Sequence, residues 1–241
     1  MTSPAIIMLD RADGAPCALP SGVATLGEAD PFAAGREIAW TGAAALAAGR
    51  VNWSGAIEIG SFPHAETMIV TAGRLSLSIG GAPVADIACG GGVVVARGTA
   101  LRLEAAPGTR WAFCATTGET SAVPGVTTLS ADAALSPSAA PAPEVLLGPT
   151  PQCRSFNAYT DEAGRYRAGI WDSTPYHRAS RPHRVNELMH ILTGSVDLTD
   201  GDGTVTRVEQ GDTVFVAHGA PCAWESRVHV AKFYVVQEVG G

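Results

Sequence analysis

Apolar and polar positions alternate along this chain in short runs, and Gly or Pro interrupts nearly all of them. From His183 to Ile191 the odd positions are His183, Val185, Glu187, Met189 and Ile191. A β-strand sends alternate side chains to opposite faces. The pattern predicts a strand whose odd face is mostly apolar and looks into a core. His183 and Glu187 share that face, where titratable groups need a partner, a hydrogen bond or a metal. Arg181 has the same parity if the strand extends back through Pro182, although a Pro marks an edge or a strand start. Asp200-Gly201-Asp202-Gly203 reads as a turn, and His229 to Val236 as a final strand. Ala43 to Ala48 is the best helical candidate, one or two turns long. The remaining short runs, cut by 28 Gly and 16 Pro, predict an all-β sandwich or barrel.

The pattern then repeats. Glu66 to Gly73 returns as Glu187 to Gly194, an offset of 121 residues. Gly90, Ala96 and Gly98 return as Gly211, Ala217 and Gly219 at the same offset, so Glu66 to Leu103 maps onto Glu187 to Trp224 without a gap. Upstream, Gly55-Ala-Ile-Glu-Ile-Gly-Ser aligns with Gly169-Ile-Trp-Asp-Ser-Thr-Pro at an offset of 114, which gives the second copy about seven extra residues around Tyr176 to Pro182. Two copies of one β unit follow: residues 1–134, a Pro/Ala/Ser linker over 135–143, and residues 144–241. Glu144 to Leu147 opens the second copy, as Ala5 to Leu9 opens the first.

Composition narrows the function classes. The 241 residues are 46% hydrophobic and 16% charged, enough to bury a core in each half. A net charge of -7 without a block of Lys and Arg argues against nucleic acid and anionic membrane as partners. Five scattered cysteines, with no Cys-x-x-Cys, fit reduced thiols in a cytoplasmic protein. The N-terminus lacks a basic n-region, and no apolar run reaches membrane-spanning length. Phosphate-binding loops, dinucleotide fingerprints and nucleophile elbows are absent from the sequence.

A His, three residues and a Glu, six residues and a Gly, then after the hairpin Gly211, five residues and a second Gly-bearing turn: this resembles the two motifs of the cupin superfamily. The wording Glu187-Leu-Met-His-Ile-Leu-Thr-Gly194-Ser-Val looks most like the ureidoglycine aminohydrolase-type branch. The resemblance covers nearly all of both halves and implies a bicupin, two tandem double-stranded β-helix (jelly-roll) barrels. Metal-binding cupins place two His, a Glu and a further His at positions that fall here on Arg181, His183, Glu187 and Cys222. His183 and Glu187 match; Arg181 and Cys222 depart. Against the Glu, His, His, Gln set of ureidoglycine aminohydrolases only His183 matches. In the N-terminal copy the positions fall on Gly60, Phe62, Glu66 and Leu101, which implies a structural barrel with a closed or apolar pocket. His64 lies two residues before Glu66, on the same strand face.

Two readings of the C-terminal copy stand side by side. In one, His183, Glu187 and Cys222, completed by His177 or water, hold a divalent metal (Zn, Mn, Fe or Ni) that polarises a substrate or activates water. The protein is then a hydrolase or aminohydrolase-like enzyme with Glu187, His183 and Arg181 as catalytic groups. In the other, the Arg181 guanidinium, which repels a dication, pairs with Glu187, and the protein is a metal-free metabolite-binding or structural bicupin. Trp171, Tyr176 and Trp224, with Arg181, are candidate walls for a small organic ligand; the aromatic residues fit a core equally well. Arg178 and Arg184 read as solvated, His190 as a structural histidine, His218 as solvent-facing and His229 as a surface group. The expected partners are a small-molecule ligand and, as a homodimer, a second copy of the chain.

Overall fold

The computed structural model describes residues 5–19, 25–42 and 45–239. Strand β1 (Ile6–Asp10) comes first. The N-terminal half then supplies β2 (Arg36–Thr41), β3 (Leu46–Asn52), β4 (Gly55–Ile59), β5 (Ala65–Ala72), β6 (Arg74–Ile79), β7 (Ala82–Ala88), β8 (Gly92–Val95), β9 (Leu101–Ala105), β10 (Arg110–Thr116) and β11 (Val126–Leu129). The C-terminal half supplies β12 (Ser136–Ser138), β13 (Cys153–Asp161), β14 (Tyr166–Ser173), β15 (Tyr176–Pro182), β16 (Val185–Thr193), β17 (Ser195–Thr199), β18 (Val205–Glu209), β19 (Thr213–Val216), β20 (Pro221–Ser226) and β21 (Val230–Glu238). Among the described residues the helical turns are two short 3-10 segments, Ala33–Gly35 and Pro143–Val145. The all-β expectation holds.

Each half folds a large sheet and a four-stranded sheet of matching connectivity. The N-terminal sheets run β11-β8-β5-β10-β3-β2 and β4-β9-β6-β7; the C-terminal ones run β1-β19-β16-β21-β14-β13-β12 and β15-β20-β17-β18. The register repeats in detail. Arg36 pairs with Val51 and Ile38 with Gly49, as Ser155 pairs with Trp171 and Asn157 with Gly169, and both ladders slip at the next step. At Gly49 and at Gly169 an added Cβ would stand 2.0 Å from a carbonyl oxygen of the neighbouring strand, so the same close crossing recurs in both units.

The apolar alternation sorts into three cores. One fills the N-terminal barrel around Phe62, Met68, Leu75 and Trp111. A second fills the C-terminal barrel around Met189, Ile191, Val214 and Trp224. Between the backs of the two large sheets lies a third, where Ile69, Val94 and Cys114 meet Leu188, Phe215 and Phe233. Both faces of the large sheets are therefore buried, and their strands read as near-continuous apolar runs. Tyr166, itself fully buried, crosses this third core: its hydroxyl donates to the Cys114 carbonyl at 2.8 Å and sits 2.7 Å from the Thr67 hydroxyl.

Three sequence expectations need correction. Leu46 to Ala48, the end of the helical candidate, open β3; residues 43 and 44 lie outside the described residues. Ala47 drops into the N-terminal barrel while Leu46 and Ala48 face the third core, and burial on both sides outweighs the helical preference of alanine. Gly55 does not correspond to Gly169. It pairs with Ala105 as Tyr176 pairs with Ser226, so the 121-residue offset continues upstream and the second copy carries no seven-residue excess. Strand β1 does not open the first unit. It pairs antiparallel with β19, taking the place beside β19 that β11 takes beside β8. Ser136 to Ser138 of the linker add to β13, and the Leu147 amide donates to the His177 carbonyl at 2.9 Å.

Ion pairs fasten β1 in place. Asp10 accepts from the Arg110 guanidinium and the Thr71 hydroxyl of the N-terminal unit. Arg11 and the Ala12 amide reach Asp212 of the C-terminal unit at 3.1 and 2.9 Å. Leu9 is fully buried in the core between the sheets. Leu9→Ala should lower the free energy of unfolding by about 2–5 kcal/mol, read from urea denaturation. An unchanged midpoint would show that β1 is not docked on β19.

Candidate functional site

The inward faces of β14, β16, β20 and β21 gather the C-terminal barrel's polar groups. Glu187 lies on β16, flanked by Val216 of β19 and Val236 of β21. Its Oε1 accepts from the Lys232 ammonium at 2.9 Å, and its Oε2 lies 3.0 Å from His183 Nε2. His183 is held between strands: its amide donates to the Ala220 carbonyl and its carbonyl accepts from Gly219, both at 2.8 Å. Lys232 pairs in register with Trp171 and with Ile191. Its ammonium lies 4.9 Å over the Trp171 ring, 5.1 Å over the Trp224 ring and 2.9 Å from the Met189 sulfur. Trp171 and Trp224 meet edge to face at 6.0 Å, and Tyr176 stacks on Trp224 at 5.5 Å. A desolvated ammonium between two indoles gains cation–π attraction.

One of the two sequence readings paired Arg181 with Glu187; the partner is Lys232. Arg181 stands on β15 opposite Cys222, and Arg178 opposite Trp224. The register slips by one residue between them, so an even and an odd position both face interior residues of β20. Arg178, expected in solvent, is buried at 4% exposure, with Nη2 4.0 Å from the Cys222 sulfur. Arg184 and His218 are exposed, as expected. His190 is buried and bonds Thr213 Oγ1 through Nδ1 at 2.9 Å, which fits a structural histidine. His229 reaches Asp172 at 3.1 Å from a half-exposed position.

Electrostatics follow from these contacts. Burial alone would raise the Glu187 carboxyl, but the Lys232 ammonium and then His183 hold it at about 2. The group is a carboxylate at neutral pH. Burial pushes the Cys222 thiol up, against the pull of Arg178. Burial, then Arg178 and Arg184, lower the Arg181 guanidinium.

These residues do not fit the metal set drawn from the cupin resemblance. His177 is exposed on β15 while its neighbours Tyr176 and Arg178 are buried. Cys222 carries a raised thiol beside a guanidinium, and a lysine ammonium already occupies one Glu187 oxygen. Among the described residues no three His, Cys, Asp or Glu side chains come together as a metal-ion site. The Lys232 ammonium balances the Glu187 charge at 2.9 Å.

The N-terminal barrel repeats the arrangement and then closes it. Glu66 accepts from Trp111 Nε1 at 3.2 Å. Trp111 is the residue 121 positions before Lys232. His64 Nε2 lies 2.7 Å from Glu66 Oε2, and the Arg36 guanidinium reaches the same oxygen at 2.9 Å while also holding Asp30. All four groups of this cluster, Glu66, His64, Arg36 and Asp30, are buried. Burial would raise the Glu66 carboxyl; Arg36 and then His64 bring it to about 2. By register, Arg36 takes the place of Ser155 and Val51 that of Trp171. Where the first barrel packs a guanidinium, the second keeps a short hydroxyl, and a cleft of about 340 Å³ opens between Ser155, Trp171, Tyr234, Lys232 and Glu187. Ser138 and Ala139, from the expected linker, line its rim. Phe62 and Leu101 are buried in the N-terminal core, and Leu101 with Gly60 also lines a cleft of about 280 Å³.

Lys232 is the residue that sequence reasoning missed. Its signal was present: a lone Lys in the apolar run Val230-Ala-Lys-Phe-Tyr-Val-Val236, on the same parity as Tyr234 and Val236.

Glu187→Ala should cost about 3–5 kcal/mol, because it strands a buried ammonium, whereas the double variant Glu187→Met with Lys232→Met should lie near the parent. Chemical denaturation of the three proteins reads this; equal midpoints for Glu187→Ala and the parent would mean a solvated carboxylate. Acid gives a second test. Glu66 and Glu187 have carboxyl groups depressed from 4.5 to about 2, so their stabilisation is complete above pH 4.5 and is lost as the pH falls from there towards 2. Burial depresses His190 from 6.5 to about 4, so it adds a loss that starts below pH 6.5 and ends near 4. His190→Gln should flatten the upper part of the stability curve and leave the lower part in place.

Comparison with known proteins places this geometry. Residues 160–234 match the EutQ-like cupin domain. A protein of unknown function of the DUF861 family, from Pseudomonas syringae pv. tomato str. DC3000, is 40% identical over 98% of this chain and 100% of its own, with a TM-score of 0.93. AerE from Microcystis aeruginosa shares the fold at 12% identity, over 83% of this chain and 90% of its own, with a TM-score of 0.50. No curated protein matches the chain. With a near-complete structural match at 40% identity and a cupin domain recognised across the barrel that holds Glu187 and Lys232, the chain belongs to the DUF861 family of the cupin superfamily.

Proposed function

We propose that the C-terminal barrel binds a small polar metabolite without a metal, in the cleft floored by Lys232 and Glu187, while the N-terminal barrel is its structural twin. The observation that carries this reading is the exchange of Arg36 for Ser155 at equivalent positions. It leaves one barrel plugged and the other open above the same kind of buried carboxylate. A cleft of about 340 Å³ lies within the range of small-molecule sites, at roughly 300–1,000 Å³. Trp171 supplies an apolar wall, and the third N–H of Lys232, beyond those directed at Glu187 and Met189, is available to a ligand acceptor. His183 and Glu187 keep two of the cupin ligand positions, but Arg181 and Cys222 depart and Lys232 holds a Glu187 oxygen, so the resemblance to the aminohydrolase branch is carried here as shared architecture.

Ser155→Arg would transplant the N-terminal plug. A thermal-shift screen of small organic acids, amino acids and polyols in the presence of a chelator should find a compound that stabilises the parent, since a ligand at 100 times its Kd adds about 2.7 kcal/mol. The Ser155→Arg variant should fold and lose that response. Stabilisation that appears only with added Zn, Mn, Fe or Ni, and disappears with chelator, would overturn the proposal.

A further inference from the structure

Charges inside the C-terminal barrel do not balance. Glu187 and Lys232 neutralise each other at 2.9 Å. Arg178 and Arg181 add two guanidinium groups that form no ion pair with a carboxylate among the described residues, whereas the buried Arg36 of the other barrel is met by both Asp30 and Glu66. Arg178 is 4% exposed and its Nη1 has no hydrogen-bond partner. Arg181 is half-buried and its Nε is likewise unpartnered. His183 Nδ1 is a third buried polar atom left without a partner. The β-bulge in β15 turns both arginines towards the interior residues Cys222 and Trp224. Arg178 pairs with Trp224, whose ring lies 5.1 Å from the Lys232 ammonium, which sets Arg178 in one interior with the cleft floor.

Buried guanidinium groups without counter-charge are costly, and two side by side repel. The fork of an arginine matches the two oxygens of a carboxylate, and two forks can share one. We propose that Arg178 and Arg181 form the receptor for the carboxylate of a small organic acid, whose remainder lies in the cleft beside Lys232 and Trp171. This rests on the metabolite-binding reading above and names the ligand class for it. The bulge is the device that builds the receptor: a regular strand would send one of the two arginines outwards.

The test pairs ligand binding with stability. Sodium malonate and sodium succinate would be titrated against the parent, Arg178→Met and Arg181→Met by calorimetry and thermal shift, with chelator present, at constant ionic strength. Sodium chloride and inorganic phosphate serve as controls. The parent should bind one of the dicarboxylates saturably and respond to neither control. Each Met variant should bind about ten- to a hundred-fold more weakly, as expected for the loss of a charge-assisted bond. Without ligand, Arg178→Met should unfold at the same temperature as the parent or higher, because the variant removes an unpaired charge. A structural arginine would give the reverse, and that result together with undiminished binding overturns the proposal. So does a parent that prefers phosphate or treats malonate and succinate as it treats chloride. If Arg178→Met fails to fold, the half-exposed Arg181→Met carries the binding arm. A neutral compound whose binding is lost in Ser155→Arg and kept in both Met variants would sink the carboxylate receptor and leave the cleft reading standing. Dicarboxylate binding lost in the Met variants and kept in Ser155→Arg would do the opposite.

Discussion

A carboxylate inside an apolar barrel is the constraint on which this structure turns. Each unit carries one, Glu66 in the first and Glu187 in the second, at the same place in the same strand. Ionised carboxylates in such surroundings require charge and hydrogen bonds close at hand. The first barrel meets the demand with Arg36, His64 and Trp111, and in doing so fills itself. The second meets it with Lys232 and His183, a smaller set that leaves room above it. One requirement is thus met in two ways, although strand order and register are shared.

Much of the architecture was legible in the sequence, because it rests on local pattern and on repetition. Alternation put His183 and Glu187 on one inward face, and the 121-residue offset paired the two units before any strand was placed. The partner of Glu187 was not legible. Lys232 lies 45 residues further along the chain and meets Glu187 only across neighbouring strands of the sheet, a relation set by register and not by spacing. Arg178 was misplaced for a different reason. Strict alternation puts it on the opposite face from Arg181, and a one-residue slip in the ladder, which leaves no mark in composition, returns it to the interior.

The large sheets stand back to back, so each is buried on both faces. That arrangement explains why His190, pointing away from the pocket, is still buried, and why Tyr166 of one unit is satisfied by Cys114 and Thr67 of the other. It also gives the C-terminal barrel a stiff support. The strand that carries Glu187 also presents Leu188 to the core between the units, so displacement of the carboxylate would disturb packing shared with the opposite barrel.

Strand β1 imposes an order on biosynthesis. It is made well before its sheet partner β19, and the contact between Ala12 and Asp212 spans 200 residues. The N-terminal unit has its own ladders and can assemble while translation continues. Until β19 arrives, β1 lacks its sheet partner, and once it does, the newly made edge of the second sheet is covered by a strand made long before it. Closing so long a loop is slow, and in that interval both β1 and the open side of β19 are exposed apolar strands. A nascent chain of this protein therefore depends on β1 remaining free of other folding and of aggregation until β19 has been made.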